Sequence, residues 1–273
     1  MTKPTFRFEK PLWKKNYLVI GVDEVGRGAI AGPVVASAVA FAINPEQRTK
    51  NLEHIGIDDS KRLTAKRREE LAKMIKKMAL AYGIGEAGVG TINSIGIKKA
   101  TERAMRRAIK NVQCTLLRSV NNRVSEGQVM YNLQKSCHSE PRQGGARNLG
   151  RLGRPHNDAS ERKTFLARSL TSFEMTKGQY FFLIDGFSVK YLPGGLKNQK
   201  AIVKGDQKSI SIAAASIIAK VYRDDKMRLL DKKYPHYQFS RHKGYGTEKH
   251  KNAILKFGET VYHRQQFLTT FIR

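Results

Sequence analysis

The sequence predicts a layered α/β fold. Short apolar runs with β-forming residues alternate with amphipathic helical patterns along most of the chain, which is the order expected of a sheet covered by helices. The 273 residues are enough to bury a large core. A composition of 40% hydrophobic and 27% charged residues is typical of a globular protein and excludes a disordered or fibrous one.

Five segments predict strands. They are rich in Val, Ile, Ala and aromatic residues, and turn signals bound them. The strongest are YLVIGVD, PVVASAVAF and YFFLID. In chain order the five are residues 17–23, 33–41, 82–87, 180–185 and 201–203.

Four segments predict helices. Thr64 is the expected N-cap of the first, whose apolar face is formed by Leu71, Met74, Ile75 and Met78. The apolar face of the second helix (Ile97, Ala100, Ala104, Met105 and Ala108) is expected to end near Lys110. The third helix is predicted over residues 209–230, and the last runs over residues 247–257 and stops at Gly258.

Residues 111–179 interrupt this order. The middle of the segment is rich in Gly, Arg, Asn and Ser and has little periodicity. Because long irregular loops are uncommon inside a compact domain, we expect a mobile or partly helical basic insertion, with a small added subdomain as the alternative.

The net charge of +28 points to a polyanionic partner, most commonly a nucleic acid. Most of the positive excess lies outside residues 111–179 and therefore belongs to the folded body. Charge alone leaves open a solvated basic surface, a ribosome-associated protein or a nuclease.

Three features predict a cytoplasmic protein without a membrane partner. The apolar runs are shorter than the ~20 residues that span a bilayer. The first residues contain no apolar stretch of signal-peptide length. Two cysteines cannot form a disulfide framework.

The stretch GVDEVGRGAIAGPVV, residues 21–35, carries the most chemistry. Asp23 and Glu24 follow an apolar strand and precede a glycine-rich loop. Carboxylates are preferred ligands of Mg²⁺. In an isolated Asp-Glu pair, however, the aspartate more often only caps a turn. Side chains alternate between the faces of a strand, so a shared metal requires the strand to end at this pair, and we expect that ending.

The same stretch does not predict a dinucleotide site. Gly26, Gly28 and Ala31 match a G-x-G-x-x-A pattern, which requires a helix to begin at once. Here Gly32 and Pro33 lead into a predicted strand. The second glycine pattern, at residues 83–88, is rejected because another glycine-rich turn follows it.

Seven blocks in order closely resemble the ribonuclease HII family. They are DEVGRGAIAGPVVASAV, IDDSKRLTAKRREEL, INSIGIKKATERAMRRAI, LIDG, IVKGDQKSISIAAASIIAKVYRDDKM, HKGYGTEKH and the terminal HRQQF. The resemblance implies an RNase H-like fold, an α/β architecture with a mixed central sheet flanked by helices. It also implies that residues 1–273 form a single catalytic domain, with residues 111–179 as an atypical insertion.

The resemblance implies hydrolysis of the phosphodiester bond on the 5′ side of a ribonucleotide, leaving 3′-hydroxyl and 5′-phosphate ends. The expected substrates are RNA/DNA hybrids and duplex DNA containing single ribonucleotides, and the protein is expected to act as a monomer. Two Mg²⁺ or Mn²⁺ ions would be held by the matched carboxylates Asp23, Glu24, Asp185 and Asp206. Asp224 takes a supporting role. Without the resemblance, turn or cap roles would be favoured for Asp185 and Asp206.

The resemblance also implies six substrate-binding residues. The Gly-Arg-Gly loop would read the ribose, whose 2′-hydroxyl distinguishes RNA from DNA, and the tyrosine would lie against the next sugar. The two lysines would contact phosphates. These residues are Gly26, Arg27, Gly28, Lys61, Lys243 and Tyr245.

A second hypothesis is a non-catalytic RNA- or ribosome-binding protein that has kept the fold. Such a protein has little reason to retain a cluster of four carboxylates inside a strongly basic body. The presence of all four favours the enzyme.

Overall fold

The computed structural model describes residues 3–42, 55–124 and 179–271. Within them, five strands form one mixed sheet: Leu18–Val25 (β1), Val34–Ala40 (β2), Ala81–Ala87 (β3), Tyr180–Asp185 (β4) and Gln199–Ile202 (β5). Their order in the sheet is β3-β2-β1-β4-β5. Strands β1, β2 and β3 pair antiparallel, whereas β4 and β5 extend the sheet in parallel from β1. All five predicted strands are confirmed.

Helices cover both faces of this sheet. The α-helices in the described ranges are Lys10–Trp13 (α1), Ala65–Met78 (α2), Val89–Val124 (α3), Ile210–Lys233 (α4), Phe239–His242 (α5), Glu248–Phe257 (α6) and Gln265–Phe271 (α7). One face of the sheet packs against α3 and the other against α1, α2 and α4. The α/β class and the mixed sheet flanked by helices are therefore confirmed.

Side-chain caps set the beginnings of three helices. The Thr64 side chain accepts a hydrogen bond from the N–H of Arg67 at the start of α2, as predicted. Ser209 and Thr247 cap α4 and α6 in the same way. One detail of α2 differs from the prediction, since Met74 is 38% exposed and does not join the buried face.

Helix α3 is longer than its apolar pattern was expected to be. It continues past Lys110 to Val124, so it enters the segment 111–179. Val112 and Leu116 are fully buried and extend the apolar face by further turns. A break with positive φ at Gly96 divides the helix. The remainder of the predicted insertion, residues 125–178, lies outside the described residues.

Glycines allow helices to approach the sheet closely at two strands. A Cβ at Gly85 in β3 would lie 2.0 Å from the carbonyl oxygen of Ala104 in α3. A Cβ at Gly21 in β1 would lie 2.2 Å from the backbone of Ser211 in α4. Backbone therefore packs on backbone at both places, and helices α3 and α4 are held tightly against β3 and β1.

The C-terminal segment forms a third apolar cluster. Its buried residues come from α4 to α7 and from the loop after β1, and they include Ile30, Met227, Phe239, Ile254 and Leu268. This cluster lies under the glycine-rich loop 26–33. The position of that loop therefore depends on residues more than 190 positions later in the chain.

Candidate active site

The expectation that β1 ends at Asp23 and Glu24 is wrong. The strand continues to Val25, because β2 pairs with it up to that residue. Successive strand residues point to opposite faces, so the two carboxylates leave β1 on different sides. Asp23 is 4% exposed, and its Oδ1 accepts the N–H of Glu24 at 2.7 Å.

Asp23 and Asp185 lie side by side on neighbouring parallel strands. The pairing of β1 with β4 ends at Val22 and Ile184, one residue before both aspartates. Residues at matching positions of parallel strands point to the same face. The two carboxylates therefore point to the same face of the sheet, at the place where the pairing of β1 and β4 ends.

Asp206 reaches the same place from a short 3₁₀ turn, Gly205–Gln207, that follows β5. The N–H of Gly205 donates to Asp185 Oδ1 at 2.6 Å, which connects the turn directly to the end of β4. Asp206 itself is 3% exposed. Three buried or half-buried carboxylates, from β1, β4 and the turn after β5, therefore form one cluster.

The electrostatics of the cluster show mutual repulsion. Burial, followed by the charges of Glu24 and Asp185, raises the pKa of Asp23 well above its usual value. Burial and the charge of Asp185 raise the pKa of Glu24 to about 7. The pKa of Asp185 is also raised, by burial first and then by Asp206, despite the hydrogen bond from Gly205. Asp185 thus lies within electrostatic reach of both acidic residues of β1.

Lys61 is the cation beside this cluster. Its Nζ lies 3.4 Å from Asp206 Oδ2 while the side chain stays largely exposed. Partial burial alone would lower the pKa of Lys61, but the nearby carboxylates, Asp206 foremost, outweigh it and raise the pKa. The loop that carries Lys61 is held in place by Asp59, which accepts the Lys61 N–H at 2.9 Å and the Gln207 side-chain amide at 3.1 Å.

The residues of the cluster suit a hard divalent cation. Glu24 Oε2 is a buried oxygen without a hydrogen-bond partner. Burial and mutual repulsion raise the pKa values of Asp23 and Glu24 although Arg27 lies 3.7 Å from Glu24. Oxygen ligands of this kind are what Mg²⁺ and Mn²⁺ prefer. In the described ranges, no three acidic, histidine or cysteine side chains form a ready-made ligand set.

The Gly-Arg-Gly loop lies next to the carboxylates. Arg27 is exposed, and its guanidinium lies 3.7 Å from Glu24 and 5.0 Å from the ring centroid of Phe187, just after β4. Gly28 is exposed, and a Cβ there would meet no atom within 4 Å. Gly26 differs, because it is buried with φ +85°.

The structure also brings Tyr245 to this loop. Gly244, directly before it, accepts the N–H groups of Ile30 and Ala31 at 2.9 and 3.1 Å. Tyr245 is half-buried. Lys243 is less available than predicted, since its Nζ donates to the carbonyl of Ser240 at 2.6 Å and burial lowers its pKa.

Comparison with known proteins identifies the family. The family model described as ribonuclease HII matches residues 20–138 and 183–270, which contain every predicted site residue. A ribonuclease HII of Clostridium tetani is 37% identical, over 99% of this chain and 74% of that protein. The chain belongs to the ribonuclease HII family. Because ribonucleases HII are endonucleases, the chain is a hydrolase of nucleic acid with ribonuclease H activity, and the enzyme is favoured over a non-catalytic binding protein.

Solved structures show the same fold. Ribonuclease HII from Archaeoglobus fulgidus, solved in complex with PCNA, matches with a TM-score of 0.50 and 21% identity, over 92% of this chain and 95% of that one. Bst-RNase HIII in complex with Mn²⁺ matches with a TM-score of 0.50 and 15% identity, over 93% and 68%. Among residues 3–42, 55–124 and 179–271, every helix is too short or too polar to span a bilayer.

Two arginines at this site were missed by the sequence analysis. Arg223 and Arg264 are both fully buried and bind the backbone of the loop 26–33. A signal for Arg223 exists, because it follows Ala219 and precedes Met227 by four residues and so occupies a core position of α4. Arg264 lies between helices in the HRQQF block, where no periodicity marks it.

Proposed function

We propose that this chain hydrolyses the phosphodiester bond on the 5′ side of a ribonucleotide, in RNA/DNA hybrids and in duplex DNA that contains single ribonucleotides. The products would carry 3′-hydroxyl and 5′-phosphate ends, as in the removal of ribonucleotides from DNA. One observation carries the proposal: the carboxylate cluster lies directly beside the exposed Gly-Arg-Gly loop. The carboxylates, which would support phosphodiester hydrolysis, and the loop, which a ribose can approach closely, therefore lie on one surface.

Asp23, Glu24, Asp185 and Asp206 would hold two Mg²⁺ or Mn²⁺ ions. Bound there, such ions lower the pKa of a water molecule and neutralise charge on the phosphate and the leaving oxygen. The Mn²⁺ complex of Bst-RNase HIII supports this choice of cation. The raised pKa values of three of these side chains support it as well, since a cation would relieve the repulsion that raises them.

The protein's own groups would position the substrate. Lys61 supplies an exposed ammonium beside Asp206, where a phosphate of the scissile strand can be bound. Gly28 leaves open space for a ribose.

The test is cleavage of a DNA duplex that contains one ribonucleotide, with Mg²⁺ or Mn²⁺, next to an all-DNA duplex. Wild-type protein should make one nick on the 5′ side of the ribonucleotide and leave the all-DNA duplex intact. Asp185→Asn should reduce cleavage by ~10³-fold or more. An asparagine can still accept the Gly205 N–H through Oδ1, so the variant should fold normally.

Two results would contradict the proposal. Wild-type protein that binds the duplex but does not cleave it with either ion would contradict the proposed catalytic activity. Cleavage by Asp185→Asn at the wild-type rate would remove the carboxylate cluster from the reaction.

A further inference from the structure

Two buried arginines hold the loop that is predicted to contact the ribonucleotide. Arg264 donates from Nη2 to the carbonyl of Gly26 at 2.8 Å, from Nη1 to that of Arg27 at 3.0 Å and from Nε to that of Gly32 at 2.9 Å. Its side chain is 0% exposed. One guanidinium therefore binds both carbonyls at the Gly-Arg-Gly turn and a third at the far end of the loop.

Arg223 binds the same loop from α4. It donates to the carbonyls of Pro33 at 2.9 Å, Ala31 at 3.2 Å and Lys243 at 2.9 Å. Its guanidinium carbon lies 5.5 Å from the centroid of the Tyr245 ring. Arg223 thus connects the glycine-rich loop to the segment that carries Tyr245.

Stability alone does not explain this arrangement. Within the described residues, neither arginine lies within salt-bridge distance of a carboxylate. Their charges are balanced by carbonyl oxygens and by the faces of the Tyr245 and Phe267 rings, and Asp224 acts on Arg223 only at longer range. Burial and the neighbouring charge of Arg223 lower the pKa of Arg264 to about 9, which leaves it protonated at neutral pH. Keeping a buried charge without a counter-charge is costly.

The carbonyl contacts have a consequence for the opposite side of the loop. In a trans peptide the N–H points away from the C=O. Because Arg264 binds the carbonyls of Gly26 and Arg27, the N–H groups of Arg27 and Gly28 are turned away from the buried arginine. In the described part of the chain no acceptor binds either N–H, and both residues are exposed. Two free donors therefore lie beside the carboxylates, where the ribose is predicted to bind.

Gly26 packs directly against the Arg223 side chain, which leaves no room for a larger residue at position 26. A Cβ at this position would lie 2.0 Å from Arg223 Nε, and the φ of +85° disfavours any other residue. Gly244 has a similar relation to the loop, since its Cβ would lie 2.4 Å from the carbonyl oxygen of Ala31. The arginines, the loop and the Tyr245 segment are thus packed as one unit.

We propose that Arg223 and Arg264 are positioning residues that set the preference for ribonucleotides over deoxyribonucleotides, by orienting the Arg27 and Gly28 N–H groups and holding Tyr245 in register with them. The inference rests on the proposed function. The group recognised is the ribose of a ribonucleotide in a duplex. The arginines do not contact the ribose and act on it only through the loop.

The experiment compares wild type with Arg264→Lys and Arg223→Lys. A lysine keeps the charge but cannot bind two or three carbonyls in a fixed geometry. Binding is measured with Ca²⁺ in place of the reactive ions, for a duplex with one ribonucleotide and for the same duplex in all-DNA form. The ratio of the two affinities should fall at least tenfold in each variant. Hydrogen exchange at the Ile30 and Ala31 amides, which donate to the carbonyl of Gly244, should become faster.

Met105→Ala provides the control. Met105 is fully buried in the cluster between α3 and the sheet, so the variant loses stability far from the loop. Its affinity ratio should equal that of wild type. If one lysine variant does not fold, the lysine variant of the other arginine still tests whether the affinity ratio falls. Amide exchange and the affinity ratio of wild type, measured together at rising temperature, still test whether loop order and the ratio change together.

The outcomes separate the two proposals. A wild-type preference that persists in both lysine variants overturns the positioning role and leaves the proposed function intact. An equal fall of the ratio in Met105→Ala overturns it as well, because general destabilisation would then suffice. A wild type without any preference for the ribonucleotide contradicts the proposed function itself, and the positioning role fails with it.

Discussion

At the scale of single residues, the partly buried carboxylate of Glu24 should have a measurable effect on stability. The folded protein raises its pKa to about 7 from an ordinary value of 4.5. The folded state therefore binds more protons than the unfolded state between these values, and stability falls as pH rises through this window. The loss is complete above pH 7 unless a cation compensates the charge.

Glu24→Gln tests this directly. The glutamine resembles the protonated acid, so in chelator the variant should exceed wild type in unfolding free energy by about 3 kcal/mol at pH 8 and by little at pH 5. Urea unfolding at the two pH values measures the difference. Mg²⁺ should stabilise wild type more than the variant. Parallel stability curves from pH 5 to pH 8 would show that Glu24 is not the group responsible.

The two glycines around Arg27 should respond differently to alanine. Gly28→Ala meets open space and needs no positive φ, so stability should change by less than ~0.5 kcal/mol while kcat/KM for the ribonucleotide duplex falls at least tenfold. Gly26→Ala meets Arg223 at a φ of +85° and should unfold more easily by ~2 kcal/mol or more. Thermal unfolding of both variants measures the change in stability, and their cleavage rates measure the change in kcat/KM. Full activity in Gly28→Ala would show that nothing approaches this position.

At the scale of elements, glycines in β3 determine how closely α3 packs. Gly85→Ala would place a Cβ 2.0 Å from the Ala104 carbonyl, so the helix must move, and we expect a loss of ~3 kcal/mol or more. Gly90→Ala lies in the same helix with nothing within 4 Å and should be neutral or stabilising by up to ~1 kcal/mol. Chemical denaturation of the two variants gives the comparison. Equal stabilities would mean that α3 and β3 are not in backbone contact.

The elements themselves could be predicted, whereas their connections at the site could not. Alternation and capping residues are local signals, and they located all five strands and the starts of α2, α4 and α6. The end of β1 was predicted wrongly because pairing with β2 across the glycine-rich loop carries the strand through Glu24. The end of α3 was predicted too early, although Val112 and Leu116 continue its apolar face.

The candidate site shows the same division. The resemblance led to Asp23, Asp185 and Asp206, and the parallel register of β1 and β4 explains why two of them meet. The sequence analysis missed the two buried arginines because arginine side chains are usually exposed on the protein surface. Only the folded chain shows that Arg264 is buried under a loop 232 residues earlier in sequence.

At the scale of the whole molecule, a relay of histidines connects the C-terminal segment to Tyr245. The N–H of Thr260 donates to His263 Nδ1 at 2.8 Å, which leaves the proton of His263 on Nε2. That nitrogen lies 3.1 Å from His250 Nε2, and His250 Nδ1 lies 2.9 Å from the carbonyl of Tyr245. Each ring is thus a neutral imidazole with one donor and one acceptor in use.

Acid should break this relay, because a second proton on either ring would place two donors face to face. Burial lowers the pKa of both His250 and His263 to about 4. The unfolded chain binds more protons between about pH 4 and 6.5, so the relay's contribution is complete above pH 6.5 and is lost as pH falls towards 4. We expect each of the two rings to cost about 3 kcal/mol of unfolding free energy over this range. Urea unfolding of wild type and His263→Gln at pH 7 and pH 4.5 tests it, and the variant should lose less stability in acid. An identical loss in both proteins would show that the histidines do not link the C-terminal segment to the substrate loop by their protonation.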